Sequence, residues 1–260
     1  MKLVDSHCHL NMLDLSLYPE GITGVFAKAK ELGVEHMLCV GVDLQRFPEV
    51  LSYAECYPHV YASVGLHPTE QVTEEPSFEQ LAKLANHPKV IAIGETGLDY
   101  YRVEGEVTWQ QQRFCQHIQV AKQLAKPLII HTRQARQDTI AILKQEQAAE
   151  VGGVLHCFTE DWDMAKAAMD LNFYISFSGI VTFRNASELQ AIAKRMPLER
   201  MLVETDAPYL TPMPYRGKPN QPGYTRYVAE FIAELRQEPL EKIAEQTTAN
   251  FCKLFKVKLT

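Results

Sequence analysis

No stretch of this chain approaches the roughly twenty consecutive apolar residues needed to cross a bilayer. Residues 1–15 also lack the uninterrupted apolar segment of a signal peptide, so a soluble protein is expected. The six cysteines, Cys8, Cys39, Cys56, Cys115, Cys157 and Cys252, offer no C-x-x-C spacing. Three of them lie in apolar strand-like runs, as small core residues do. That usage fits a reduced, cytoplasmic compartment. Positive charge is short as well: the formal net charge is −6, so no global positive field draws in nucleic acid. A polyanionic substrate would have to be held by local cations or metals. Ser/Gly-rich linkers and low-complexity tracts are also missing, which leaves one domain over residues 1–260 as the expected organisation.

What is present suits a large core. The 260 residues are 46% hydrophobic, enough for two ordinary domains or one α/β barrel. Leu3-Val4 leads into Asp5-Ser6-His7-Cys8-His9, and strand alternation puts His7 and His9 on one face with Ser6 and Cys8 on the other. Further buried-strand patterns are His36–Val42, Val60–Leu66, Val90–Gly94, Leu128–Ile130, Val154–Leu155, Phe173–Phe177 and Met201–Val203. Helical periodicity follows each of them, first between about Tyr18 and Leu32 and last over Thr225–Leu235 and Leu240–Phe255. Asp43 and Thr159 can cap helices, and Thr108 with Gln111 and Asn185 with Glu188 have capping-box spacing. Thr96–Tyr101 reads as a loop. Eight strand–helix units, repeating about every 25 to 35 residues, predict a (β/α)8 TIM barrel. An open doubly wound sheet is the alternative, and it would leave the first and eighth strands far apart.

Residues with metal-binding chemistry recur at one place in these units. His7 and His9 follow strand one, Glu95 strand four, His131 strand five, His156 strand six and Asp206 strand eight. Strand C-termini surround one mouth of such a barrel, where active sites lie. Four histidines and two carboxylates exceed the needs of one ion and suit two divalent ions (Mg, Mn or Zn), with Glu95 the best bridging candidate. Two such ions, roughly 3.5–4 Å apart, acidify a water and stabilise both oxygens of a phosphoryl displacement. Asp206 can then act as ligand and general base. His67, ending strand three at the mouth, can be a ligand or a hydrogen-bond donor to an anionic substrate, and the second role is preferred because the ligand set is already full. Asp5 and Glu204 can brace histidines or simply bond to backbone. His36, His59, His87 and His117 are expected to be structural or solvated.

Arg133, Arg136, Arg184, Arg216 and Lys218 lie in loops after strands and can hold phosphates, although surface charge is the simpler account of Arg136 and Arg184. Tyr100, Tyr101 and Tyr215 can stack on bases or serve packing. Cys8 and Cys157 read as core.

The motifs Asp5-Ser6-His7-Cys8-His9-Leu10, Gly65-Leu66-His67-Pro68, Gly94–Tyr100, His131-Thr132-Arg133, Leu155-His156-Cys157-Phe158 and Glu204–Leu210 together resemble those of the TatD family of metal-dependent deoxyribonucleases, over nearly the whole chain. The resemblance implies an amidohydrolase-type TIM barrel, with His7, His9, Glu95 and Asp206 around one metal and Glu95, His131 and His156 around the other. It also implies 3′–5′ exonuclease or phosphodiesterase action on DNA, with single-stranded 3′ ends as substrate and a substrate role for His67. Arg216-Gly217-Lys218 with Asn220 resembles the family's final loop, which implies phosphate contact there. One rival is a hydrolase of the same superfamily acting on an amide, lactone or small phosphoester. Many of those bridge their metals with a carboxylated lysine, whereas strand four here ends in Glu95. A non-catalytic barrel is the other rival, and the complete ligand set argues against it. Nothing in the sequence calls for an obligate protein partner.

Overall fold

A computed structural model describes residues 2–101, 103 and 105–259. Eight strands lie side by side in chain order, each parallel to the next: β1 (Leu3–Cys8), β2 (Val34–Cys39), β3 (Val60–Val64), β4 (Val90–Asp99), β5 (Leu128–Arg133), β6 (Gly153–Leu155), β7 (Phe173–Phe177) and β8 (Met201–Val203). The crossovers contain α1 (Ile22–Glu31), α2 (Phe47–Cys56), α3 (Phe78–Ala85), α4 (Thr108–Leu124), α5 (Arg136–Gln145), α6 (Trp162–Asp170) and α7 (Ser187–Arg195), and α8 (Thr225–Arg236) and α9 (Leu240–Phe255) follow β8. The strands are apolar almost throughout because both faces are covered. Val4, Leu38, Ile129, Val154, Tyr174 and Leu202 fill an inner core, which Phe251, Leu254 and Phe255 of α9 close at one end. Leu3, Met37, Phe114 and Ile118 belong to the outer layer between strands and helices.

Beyond the regular ladders, the first and last strands meet. Asp206 N–H donates to His7 O (2.9 Å) and His9 N–H to Ala207 O (2.8 Å). Ser6 Oγ donates to Val203 O (3.0 Å), and Asp5 accepts from Thr205 N–H (2.9 Å) and Thr205 Oγ (2.5 Å). These bonds exclude the open sheet and form the TIM barrel the sequence predicts.

Local expectations fare unevenly. The limits of β7 and β8 coincide with the predicted strands, but β4 continues through Thr96–Asp99, which had read as loop. Gly97 permits this: its φ is +130°, and a Cβ there would lie 2.0 Å from His131 O. The pairing shifts between Asp5 and Cys8, so Ser6 does not face away with Cys8; its hydroxyl meets Ser176 Oγ at 3.3 Å. Neither expected capping box forms, since α4 and α7 begin without side-chain caps. Gln111 instead donates to Tyr100 Oη (2.8 Å) and Asp138 (3.1 Å). The cap of α6 is Asp161, which accepts from Met164 N–H, rather than Thr159. Asp43 accepts from Arg46 N–H in the turn ahead of α2. A capping box does occur at Ser77 and Gln80, opening α3.

Candidate metal centre

The strand ends deliver the candidate side chains to one spot, and backbone bonds past each strand fix them there. Glu95 N–H donates to Gly41 O (2.8 Å), His67 N–H to Val42 O (2.8 Å) and His156 N–H to Ile130 O (3.0 Å). Glu95 stands at the centre. Its Oε1 faces His156 Nε2 at 2.8 Å and both His67 Nε2 and His131 Nδ1 at 3.3 Å, while Oε2 faces His7 Nε2 at 3.3 Å. Asp206 Oδ1 lies 3.3 Å from His9 Nε2 and 3.5 Å from His7 Nε2, and those two nitrogens are 3.3 Å apart. Donor atoms within 4.8 Å of one another group His7 with His9 and Glu95, His7 with His156 and Asp206, and His67 with Glu95 and His131. His67 therefore stands among the six candidate ligands rather than beyond them.

Hydrogen bonds to the far side of each ring decide which nitrogen carries a lone pair. A carbonyl or carboxylate can only accept, so His9 Nδ1–H donates to Val40 O (3.0 Å), His156 Nδ1–H to Glu204 Oε1 (3.3 Å) and His131 Nε2–H to Asp99 Oδ2 (2.9 Å). In their neutral forms these rings turn lone pairs toward the Glu95 and Asp206 oxygens. Lone pairs opposed to carboxylate oxygens repel unless positive charge lies between them. His156 Nε2 has no hydrogen-bond partner despite its closeness to Glu95. A set of imidazole nitrogens and carboxylate oxygens with unmatched lone pairs fits a divalent cation.

His67 is the exception. Its Nδ1 accepts from Thr69 N–H (3.1 Å) and lies 2.7 Å from Thr69 Oγ1, so the neutral ring carries its proton on Nε2, facing the cluster. A donor, not a lone pair, is presented there.

The electrostatics follow this geometry. Burial alone would raise the pKa of Glu95, but His156, His67 and His131 outweigh it and hold the carboxyl well below its ordinary range. Burial likewise opposes the charge on Asp206, and His9 and His7 bring its pKa below the ordinary value. Against desolvation, Glu95 and Glu204 raise His156, Asp99 and Glu95 raise His131, and Asp206 raises His9. Burial prevails at His7, helped by His156, and at His67, where Glu95 opposes it. The centre is thus two ionised carboxylates among rings that draw in positive charge.

The carboxylates behind the cluster take distinct roles. Glu204 supports His156 and also accepts from Cys157 N–H (2.8 Å), whereas Asp5 bonds to Thr205 and to the His7 backbone N–H (3.3 Å) and joins β1 to the chain after β8. Asp99, the acceptor for His131, was not among the sequence candidates. Strand alternation carries the signal, because residues 95, 97 and 99 share a face once β4 is extended. The thiols stay apart: Cys8 Sγ donates to Leu38 O, and Cys157 Sγ lies 3.2 Å from Ser178 Oγ.

Around the rim, Arg133 lies over Tyr101, Arg216 over Phe183 and Lys218 over Tyr215. These cation–π pairs hold charge and aromatic surface together beside the mouth. Tyr100 donates its hydroxyl to Asp138 (2.7 Å) and accepts from Gln111 (2.8 Å), which ties it to α5 and α4. Arg136 pairs with Glu160 and Asp161, and Arg184 is exposed. His36 and His59 sit at the opposite end of the barrel, His87 pairs with Glu55, and His117 is buried within α4.

Residues 4–256 match the family model described as TatD related DNase. The chain belongs to the TatD family. An Escherichia coli K12 relative, named uncharacterized metal-dependent hydrolase YcfH, is 48% identical over 257 residues, covering 99% of this chain and 97% of that protein. A Salmonella typhimurium relative, named 3′-5′ ssDNA/RNA exonuclease TatD, is 35% identical over 239 residues, covering 90% of this chain and 92% of the relative. The crystal structure of the TatD homologue YjjV from Escherichia coli K12 superposes with a TM-score of 0.91 at 30% identity, covering 98% of both chains. This TatD protein is accordingly a metal-dependent hydrolase with a TIM barrel. Among the described residues, no helix is long and apolar enough to cross a membrane.

Proposed function

We propose that this TatD protein is a phosphodiester hydrolase that removes nucleotides from single-stranded 3′ ends of DNA in the cytoplasm, using two divalent ions (Mg, Mn or Zn) that share Glu95. One observation carries this reading: the two Glu95 oxygens face different histidines, Oε2 toward His7 and Oε1 toward His131 and His156. Such an arrangement suits a bridging carboxylate, with His7, His9 and Asp206 on one side and His131 and His156 on the other. The relative named as a 3′-5′ exonuclease supports nucleic acid as the substrate class.

Ions bound there would supply Lewis-acid charge to the attacking water and the phosphate oxygens. Asp206, whose side chain is 14% exposed against 4% for Glu95, is the carboxylate open to the mouth, and in its ionised form it has an oxygen able to take the water's proton. As the water oxygen attacks phosphorus, the bond to the leaving sugar oxygen breaks. His67, with its proton on Nε2, is set to donate a hydrogen bond to a phosphate oxygen, which supports a substrate role over ligation. Arg133, Arg216 and Lys218 are suited to hold the flanking phosphates in a chain whose net charge is −6. Tyr100, beside them, can stack on a base or serve packing.

The test is turnover of 3′- and 5′-labelled DNA and RNA oligonucleotides beside small phosphodiesters, with Mg²⁺ or Mn²⁺. Mononucleotide release from the 3′ end of DNA is expected, and it should cease on chelation and in Asp206→Asn. Persistence of activity after either treatment would refute the mechanism. Hydrolysis of small esters or amides without any attack on DNA would transfer the site to the rival substrate class.

A further inference from the structure

The segment that presents His67 is gripped by one stripe of α4. Leu66 N–H donates to His117 Nε2 (3.1 Å), whose Nδ1–H donates to Arg113 O (2.8 Å). One turn back, Arg113 Nη1 donates to the carbonyls of His67 (2.9 Å) and Glu70 (2.8 Å). Its Nε donates to Glu75 Oε2 (2.9 Å) and its Nη2 to Glu75 Oε1 (2.5 Å). Another turn back, the Trp109 ring covers the guanidinium, 4.7 Å from the ring centroid. Residues 109, 113 and 117 are spaced by four, so they form one row on the helix. Gln116 adds a bond to Pro76 O (2.9 Å).

Both peptide groups flanking His67 are therefore fixed. Its N–H is held by Val42 O, and its carbonyl accepts from Glu70 N–H as well as from Arg113. The Arg113 side chain is only 1% exposed, while that of its partner Glu75 is 44% exposed. A buried cation paired to a half-exposed carboxylate is a weak source of stability. The planar fork suits geometric placement better, because it makes four donations from one fixed plane, two of them side by side to the Glu75 carboxylate, whereas a lysine ammonium has only three donors and no plane.

We propose that Arg113 is a positioning residue that sets His67 over the centre by clamping the segment from Leu66 to Glu75 onto α4. The proposal rests on the substrate role of His67 given above. Small displacements of a substrate-contacting group lower turnover steeply, by as much as about 100-fold for about 1 Å.

The test combines hydrogen exchange of the protein with a double-mutant cycle. In Arg113→Lys, amides of residues 66–75 should exchange about tenfold faster than in wild type while those of β5 to β8 stay unchanged. Turnover of a 3′-labelled oligonucleotide should fall about 10- to 100-fold in Arg113→Lys, with no further fall when that change is added to His67→Ala. Unchanged exchange in residues 66–75 would overturn the proposal. So would losses from Arg113→Lys and His67→Ala that multiply, since Arg113 would then act elsewhere. If Arg113→Lys does not fold, Glu75→Gln, which removes only the outer partner, is judged by the same two outcomes. Should the wild type attack no nucleic acid, the functional reading fails by itself, and the exchange measurement alone decides whether Arg113 holds the segment.

Discussion

His117 makes the pH dependence of folding measurable at one residue. It is fully buried in α4, and desolvation lowers its pKa from 6.5 to about 4 despite its bond to Arg113 O. As pH falls through 6.5, the unfolded imidazole takes up a proton that the folded one refuses until about 4. The unfolded state then binds more protons, so stability is lost between these limits and levels off below the lower one. At about 1.4 kcal/mol per pH unit, the whole window is worth about 3 kcal/mol. His117→Gln keeps an acceptor for Leu66 N–H and a donor for Arg113 O but cannot titrate. Urea unfolding of both proteins in chelator at several pH values from 7.5 to 4 gives the difference in stability, in which all other titrations cancel. That difference should shift by about 3 kcal/mol in favour of the variant on going from pH 7.5 to pH 4. A pH-independent difference would refute the account, because it would mean that His117 is not held neutral by burial.

Two further outcomes follow from the bonds behind the centre. Asp99→Asn replaces a charged acceptor for His131 Nε2–H with a neutral amide, so divalent-metal affinity measured by titration calorimetry should fall about 10- to 100-fold with the fold intact. Gly97→Ala would force a Cβ to within 2.0 Å of His131 O at a φ of +130°, and thermal or urea unfolding should show a loss of more than about 2 kcal/mol.

The barrel was legible in the sequence because each of its strands is covered on both faces, so Phe173–Phe177 and Met201–Val203 stand out as apolar runs with sharp ends. The candidate cluster was legible for a related reason: in a barrel, strand ends far apart in sequence share one mouth. Residues whose role depends on a partner elsewhere in the chain were harder to read. Thr96–Asp99 carries a loop-like composition, and only pairing with β5 makes it strand, which hid Asp99. Gln111 has the spacing of a cap but is taken by Tyr100 and Asp138. Arg113 and His117 look like ordinary polar residues of an amphipathic helix until the loop after β3 is folded over them.

The seam between β1 and the chain after β8 has a consequence for synthesis. The bonds that close the barrel run between His7 and Asp206 and between His9 and Ala207, so the backbone that completes the cylinder also bears three of the candidate ligands. A growing chain emerges from the ribosome with its two leading histidines some two hundred residues ahead of the aspartate they await. Such long-range closure comes late in folding. An incomplete polypeptide therefore displays the two imidazoles without the aspartate that lies beside them in the folded barrel, and the candidate ligand set is complete only when the chain past β8 docks on β1.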